Sequence, residues 1–248
     1  MALPESVTIV GTGLIGGSLA LALKRAAPGI RVVGVDRSEA LAEAQELGIV
    51  EAGDPRASEL FVLAAPVGQI LNLLDELNPG HALVTDVGST KAAICRKAEE
   101  RGVRFIGGHP LAGSEKSGPR AASADLFKGT HYFLCPVSTT PPDATKVMVE
   151  LVSAVGAIPR IISPDEHDRL VAQISHLPQL VSDILAAHTA SNYDFAGPGL
   201  KSMTRLAASP ASVWRDIFKT SGFLPHEIRS FMNRLSEALE ALERDKNE

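Results

Sequence analysis

The hydrophobic positions fall into short blocks whose spacing alternates between two periods. Residues 7–10 (VTIV) have the composition of a buried strand and run directly into Gly11, and the segment after it, LIGGSLALALKRAA, carries apolar residues at helical spacing with no proline. The alternation then repeats. RVVGVD at 31–36 predicts a strand, SEALAEAQELG a helix that stops at Gly48, ELFVLAAP a strand ending at Pro66, and VGQILNLLDELNPG a helix closed by a Pro-Gly turn. HALVTDVG and RFIGG predict two more core strands, with STKAAICRKAEERG as the helix between them. HYFLCPV at 131–137 adds a strand, followed by the turn-rich STTPPDAT, a helix over KVMVELVSAVG and a short strand at IPRII. Strands alternating with helices predict a largely parallel sheet covered on both faces, mixed at its last edge.

At residue 163 the pattern changes. Ser163, Pro164 and Glu166 stand at the N-cap, N1 and N3 spacing of a capping box, and from 166 to 248 every stretch is helical apart from the break at FAGPGL. The charged tail LERDKNE is expected to fray. The fold expected is therefore α/β, with a Rossmann-type dinucleotide-binding domain over residues 1–163 and an all-helical domain over 164–248. No repeat of 20 to 50 residues is seen, which weighs against solenoid and scaffold architectures.

Composition narrows the classes of partner. With 45% hydrophobic and 21% charged residues the chain has material for real cores. Its net charge of -5 arises from interspersed groups, so neither nucleic acid nor an anionic membrane is an expected partner. Runs such as FVLAAPV are too short to span a bilayer, and the first residues lack the basic flank and apolar segment of a signal peptide. Cys95 and Cys135 are too few for a disulfide scaffold or a zinc cluster, and neither has a histidine at a spacing that suggests thiolate chemistry. A reducing, cytoplasmic setting is expected.

GTGLIG fits GxGxxG at Gly11, Gly13 and Gly16, directly after a predicted strand and opening a predicted helix. The first glycine permits the turn, the second lets backbone approach a pyrophosphate, and the third lets helix and sheet pack closely. Leu14 and Ile15 within the fingerprint, and Ala65 and Pro66 at the end of the third predicted strand, complete the expected cofactor contacts. Asp36 falls 20 residues after Gly16, where a carboxylate can accept from ribose hydroxyls. It favours NAD over NADP by repelling a ribose phosphate, while Arg37 beside it pulls the other way. The bland alternative is a glycine-rich turn that binds nothing.

DVGSTK at 86–91 and GGHPLAGSE at 107–115 both occupy carboxyl ends of predicted strands, where parallel-sheet enzymes hold their ligands. That placement directs Ser89, Lys91, His109, Ser114 and Glu115 toward one crevice. A neutral His109, with an ordinary pKa of about 6.5, can take the proton of a hydroxyl on a hydride-donating carbon. Alternatively it caps the strand end and touches no substrate.

The segments GTGLIGGSLA, TDVGSTK, GGHPLAGSEKSG, SPDEHDRLVAQISHLPQ and LKSMTRLAASPASVWRDIF together resemble the prephenate and arogenate dehydrogenases of tyrosine biosynthesis, over nearly the whole chain. The resemblance implies oxidative decarboxylation of prephenate or arogenate with NAD. It implies that His109 draws off the ring hydroxyl proton and that Ser89 orients that hydroxyl and His109. Arg205, in SMTR, would hold a substrate carboxylate, with Glu115, Ser114, His176 and Gln179 as further substrate contacts. The helical domain would complete the pocket and build a homodimer. Gln179 stands where many prephenate-specific members carry a second histidine, and Glu115 could accept from the ammonium of arogenate. Prephenate is the expected substrate, with arogenate or both as the alternative. Outside the family the competing readings are another two-domain dehydrogenase of small hydroxy or imino acids, or a non-catalytic NAD-binding dimer. His167 is expected to cap its helix or face solvent, although the resemblance implies a position near the cofactor side of the crevice. Trp214 is expected to pack in the helical core or a dimer contact, and Lys116 and Lys201 to be solvated.

Overall fold

The computed structural model describes residues 3–114 and 116–245. They divide into two compact units, Met1–His167 and Asp168–Glu248.

The first unit is built on a seven-stranded sheet in the order β2-β1-β3-β4-β5-β6-β7. β1 (Ser6–Val10) lies between β2 (Arg31–Val35) and β3 (Leu60–Leu63), and β4 (Leu83–Asp86) and β5 (Phe105–Pro110) continue the sheet, all in parallel. β6 (His131–Pro136) runs antiparallel to β5, and β7 (Ile158–Ile161) runs parallel to β6, which gives the mixed edge expected. Side chains alternate across the strands into two cores. Val7, Ile9, Val62 and Ile106 join Leu19 and Leu23 of α1 (Leu14–Ala26) and Met148 and Leu151 of α5 (Ala144–Ala154). Phe61, Leu63, Val84 and Phe105 join Ile70 and Leu74 of α3 (Val67–Glu76) and Ile94 of α4 (Ala92–Glu100). The chain leaves β1 toward β2 and α2 (Ser38–Glu46), then returns to β3 on the other side of β1. The carboxyl ends of β1 and β3 therefore form a switch point, the place where open α/β sheets leave a crevice.

One strand differs from its sequence-based expectation in a way that matters. β5 does not stop at Gly108 but runs on through Pro110, because β6 pairs with it from Ile106 to Pro110, opposing His109 with Phe133 and Pro110 with Tyr132. His109 is thus fixed in a ladder rather than carried on a loop.

The capping box at residue 163 forms as expected. Ser163 Oγ accepts from the Glu166 amide at 3.3 Å, and Glu166 Oε2 accepts from the Ser163 amide at 3.2 Å and from its hydroxyl at 2.6 Å. It opens α6 (Pro164–Val171), which passes into a π-helical turn, Ala172–His176, and then α7 (Leu177–Thr189). Helical spacing did not foretell the wide turn. Pro178 has no N–H with which to close a bond four residues back, and the winding loosens just before it. After a 3₁₀ stretch at Ala190–Phe195 come α8 (Pro198–Met203), a 3₁₀ turn at Arg205–Ala208, α9 (Ala211–Thr220) and α10 (Leu224–Asp245). The tail expected to fray is helical as far as Asp245. Among the described residues no helix is long and apolar enough to cross a membrane.

Candidate active site

At the switch point each fingerprint glycine meets a different surrounding. Gly11 has φ of +99°, and a Cβ there would lie 2.1 Å from the Ala64 carbonyl oxygen. A Cβ on Gly16 would lie 1.9 Å from the Gly11 oxygen, so helix and turn touch backbone to backbone. Gly13 faces open space within 4 Å and is the N-cap of α1, with no side chain capping the helix. The first amides of a helix have no intrahelical acceptor, so Leu14 and Ile15, both half-buried, present N–H groups to whatever enters. Asp36 is tied to this turn. Its Oδ2 accepts from the Thr12 amide at 2.6 Å and hydroxyl at 2.9 Å, and its Oδ1 accepts from the Arg37 amide at 2.7 Å. The carboxylate that sequence reasoning assigned to a ribose thus fixes the glycine turn in the structure. Arg37 is exposed, Ala65 half-buried, and Pro66 exposed at the N-cap of α3. Turn, helix end and acid together fit a dinucleotide.

Beneath the neighbouring strand ends lies a polar group of residues that sequence reasoning largely missed. Asp86 and Lys91 are both completely buried and form an ion pair. Asp86 Oδ2 also accepts from the Gly88 amide at 2.8 Å and Oδ1 from the Gly108 amide at 3.0 Å, while Lys91 Nζ donates to the Gly108 carbonyl at 2.8 Å. Both backbone groups of Gly108 are thus held by one acid and one base, beyond the point where the β4–β5 pairing ends at Ile106. This explains the paired glycines before His109. Neither has positive φ, but a Cβ on Gly108 would come within 2.4 Å of the Asp86 carbonyl oxygen, and one on Gly107 within 2.9 Å of Cys95 Sγ. Burial, and then the nearby Asp86 charge, push the Tyr132 phenol far above its ordinary pKa. The available signal was an acid and a lysine flanking a Gly-Ser-Thr loop.

His109 itself is buried, with 7% of its surface exposed, and its Nδ1 lies 2.8 Å from Nε2 of His167. The expectation that His167 caps a helix or faces solvent is corrected: it is wholly buried, edge-on to His109 with ring centroids 5.0 Å apart, and Phe133 packs against it at 5.2 Å. Ser89, on the loop after β4, is half-buried, and among the described residues its hydroxyl is bonded to none, His109 included. Ser114 is exposed, its hydroxyl accepting from the Lys116 amide at 3.0 Å. Glu115 lies outside the described residues.

In the second unit Gln179 is buried and donates Nε2 to Asp183 at 2.9 Å and to the Leu206 carbonyl at 2.9 Å. Ser182, one turn on, accepts from the Ala207 amide at 3.1 Å. These two side chains of α7 therefore hold the 3₁₀ turn that begins at Arg205. The Arg205 side chain is exposed, with no ion pair among the described residues. His176 is buried, with Nδ1 2.8 Å from Ser221 Oγ and its ring against Trp214. Among the described residues no cluster of His, Cys, Asp or Glu is arranged to hold a metal ion, and both cysteines are buried and unbridged.

Known proteins show the same organisation. The family model described as prephenate dehydrogenase, nucleotide-binding domain, matches residues 19–161, and that described as prephenate dehydrogenase, dimerization domain, matches residues 163–248. Prephenate dehydrogenase of Bacillus subtilis is 34% identical over 264 residues, covering 97% of this chain and 69% of that protein. The structure of A. aeolicus prephenate dehydrogenase, in complex with hydroxyphenyl propionate and NAD+, superposes with a TM-score of 0.90 at 30% identity, covering 100% of this chain and 93% of that one. Synechocystis arogenate dehydrogenase gives a TM-score of 0.81 at 27% identity, covering 97% and 93%.

Proposed function

Because this chain belongs to the prephenate dehydrogenase family, we propose that it oxidatively decarboxylates prephenate with NAD, and that His109 is the group that handles the proton. The observation that carries this reading is a buried histidine held at a strand end of the same parallel sheet whose first strand ends in a glycine turn fit for a dinucleotide. NAD, when bound, supplies the hydride acceptor. His109 takes up the ring hydroxyl proton as the neighbouring C–H bond gives up its electron pair, and returns the proton to the ring oxygen once carbon dioxide has left. Loss of carbon dioxide makes the ring aromatic, so the protein chiefly has to align groups and accept a proton. Ser89 stands as the hydroxyl partner and Asp36 as the ribose partner in this reading.

Prephenate is preferred over arogenate because the B. subtilis and A. aeolicus relatives are both prephenate dehydrogenases. Gln179, whose Nε2 donates to Asp183 and the Leu206 carbonyl, does not favour either substrate, since both carry two carboxylates. Initial rates of NADH formation with prephenate and arogenate, each with NAD and with NADP, test the choice. A higher kcat/KM for prephenate with NAD is expected, and a higher value for arogenate reverses the assignment.

Arg205 is the proposed carboxylate anchor, since its planar fork is exposed and its turn is held by Gln179 and Ser182. Arg205→Ala is expected to raise KM for the substrate by about tenfold or more with a smaller change in kcat, and an unchanged KM removes the assignment.

Self-association is proposed from the last helix. Met232, Leu235, Leu239 and Leu242 recur every three or four residues along α10 and are each 55 to 60% exposed. Such a stripe on one helix face is what a twofold interface covers. Sedimentation of the wild type is expected to give a dimer, and Leu235→Asp with Leu239→Asp a monomer. A monomeric wild type contradicts the proposal.

A further inference from the structure

The His109–His167 contact has a chemical consequence that depends on which ring carries the shared proton. Two arrangements satisfy a 2.8 Å contact between Nδ1 of His109 and Nε2 of His167. If His167 donates, His109 in neutral form is protonated at Nε2 and its lone pair is spent on the contact. If His109 donates, its Nδ1 bears the hydrogen and the lone pair lies at Nε2, on the opposite edge of the ring. Only the second neutral state lets Nε2 act as a base.

We propose that His167 is a positioning residue that fixes His109 as the Nδ1–H tautomer, making Nε2 the proton-accepting atom. The proposal rests on the reading of His109 as base, and it goes further by assigning the atom and the residue responsible. Three features support it. His167 is entirely buried and cannot trade the contact for one to bulk water. Its ring is gripped edge-on by Phe133, the residue that opposes His109 across the β5–β6 ladder, so both rings are set by the same strand pair. The capping box fixes the start of α6, the His167 amide donates to the Ser163 carbonyl at 2.9 Å, and His167 is thereby held in the helix's first turns. A proton arriving on Nε2 also strengthens the contact, because the donor at Nδ1 then belongs to a cation. The arrangement serves the role an acidic residue serves behind a catalytic histidine elsewhere, with a neutral acceptor in its place.

The test uses the full-length protein with histidine ring nitrogens labelled by ¹⁵N, the His109 signals being assigned by their loss in His109→Asn. The wild type is expected to show the Nδ1–H tautomer at neutral pH. His167→Gln, whose side-chain oxygen can accept near the position of the lost Nε2, is expected to keep that tautomer and a kcat within about threefold of wild type. His167→Leu, which offers no acceptor, is expected to populate the Nε2–H tautomer and lower kcat by about tenfold or more, with KM for NAD changed less than about twofold. An Nε2–H tautomer in the wild type, or equal kcat and tautomer in the Gln and Leu variants, overturns the proposal. Should His167→Leu fail to fold, the wild-type and Gln spectra still decide it. Because the tautomer is read without turnover, a protein inactive on prephenate and arogenate would refute the proposed function while leaving this result to stand or fall separately.

Discussion

His109→Asn is expected to lower kcat by about 10²- to 10⁴-fold while leaving KM for NAD within about twofold. The asparagine amide places a polar group near the original Nδ1, so a contact toward His167 can survive, but it offers nothing that takes up a proton. The substitution therefore separates proton acceptance from packing in a strand that is paired with β6 on both sides of His109. The glycine turn that fits the dinucleotide sits at the end of β1, separated from β5 by β3 and β4, which is why cofactor affinity should be spared. Steady-state kinetics with NAD and prephenate varied in turn measure both quantities. A kcat within tenfold of wild type would remove His109 as the base.

The second large effect belongs to Lys91. Removing one partner of a buried ion pair leaves the other charged and unsolvated, at a cost of roughly 3–5 kcal/mol. Lys91→Met is expected to destabilise the protein by about that much, read as a lower midpoint of denaturant unfolding followed in the first unit. The carboxylate of Asp86 would keep its bonds from the Gly88 and Gly108 amides but lose its cation, and the Gly108 carbonyl would lose the Lys91 donor. Asp86→Asn combined with Lys91→Met is expected to recover part of the loss, because no buried charge is then left alone. A Lys91→Met protein as stable as wild type would mean that the pair contributes nothing to holding the strand end before His109.

How much of this was legible in the sequence depended on the range of the interaction concerned. Most strands and helices of the first unit follow from spacing because they bury their own apolar faces, and the capping box at Ser163 and Glu166 is contained in four residues. The fingerprint was legible for the same reason, since Gly11, Gly13 and Gly16 act on one turn. Pairings between distant segments were not legible. β5 extends through His109 only because β6 lies beside it, and His167 finds its partner 58 residues upstream. Lys91 is expected from the sequence to point into the crevice at the strand ends, and only the folded loop turns its ammonium inward to Asp86 and the Gly108 carbonyl. Gln179, expected to face a substrate, spends its amide hydrogens on Asp183 and the Leu206 carbonyl, contacts that spacing along one helix does not reveal. Asp36 follows the second strand as its spacing indicated, but its grip on Thr12 is made across 24 residues and was not legible.

The most direct measurement follows NADH and carbon dioxide together in one reaction of purified protein with NAD and prephenate. Oxidative decarboxylation at a single active site predicts that the two appear in equal amounts and at equal rates, and that His109→Asn slows both alike. NADH without carbon dioxide, or NAD binding with neither product from prephenate or arogenate, would contradict the proposed reaction.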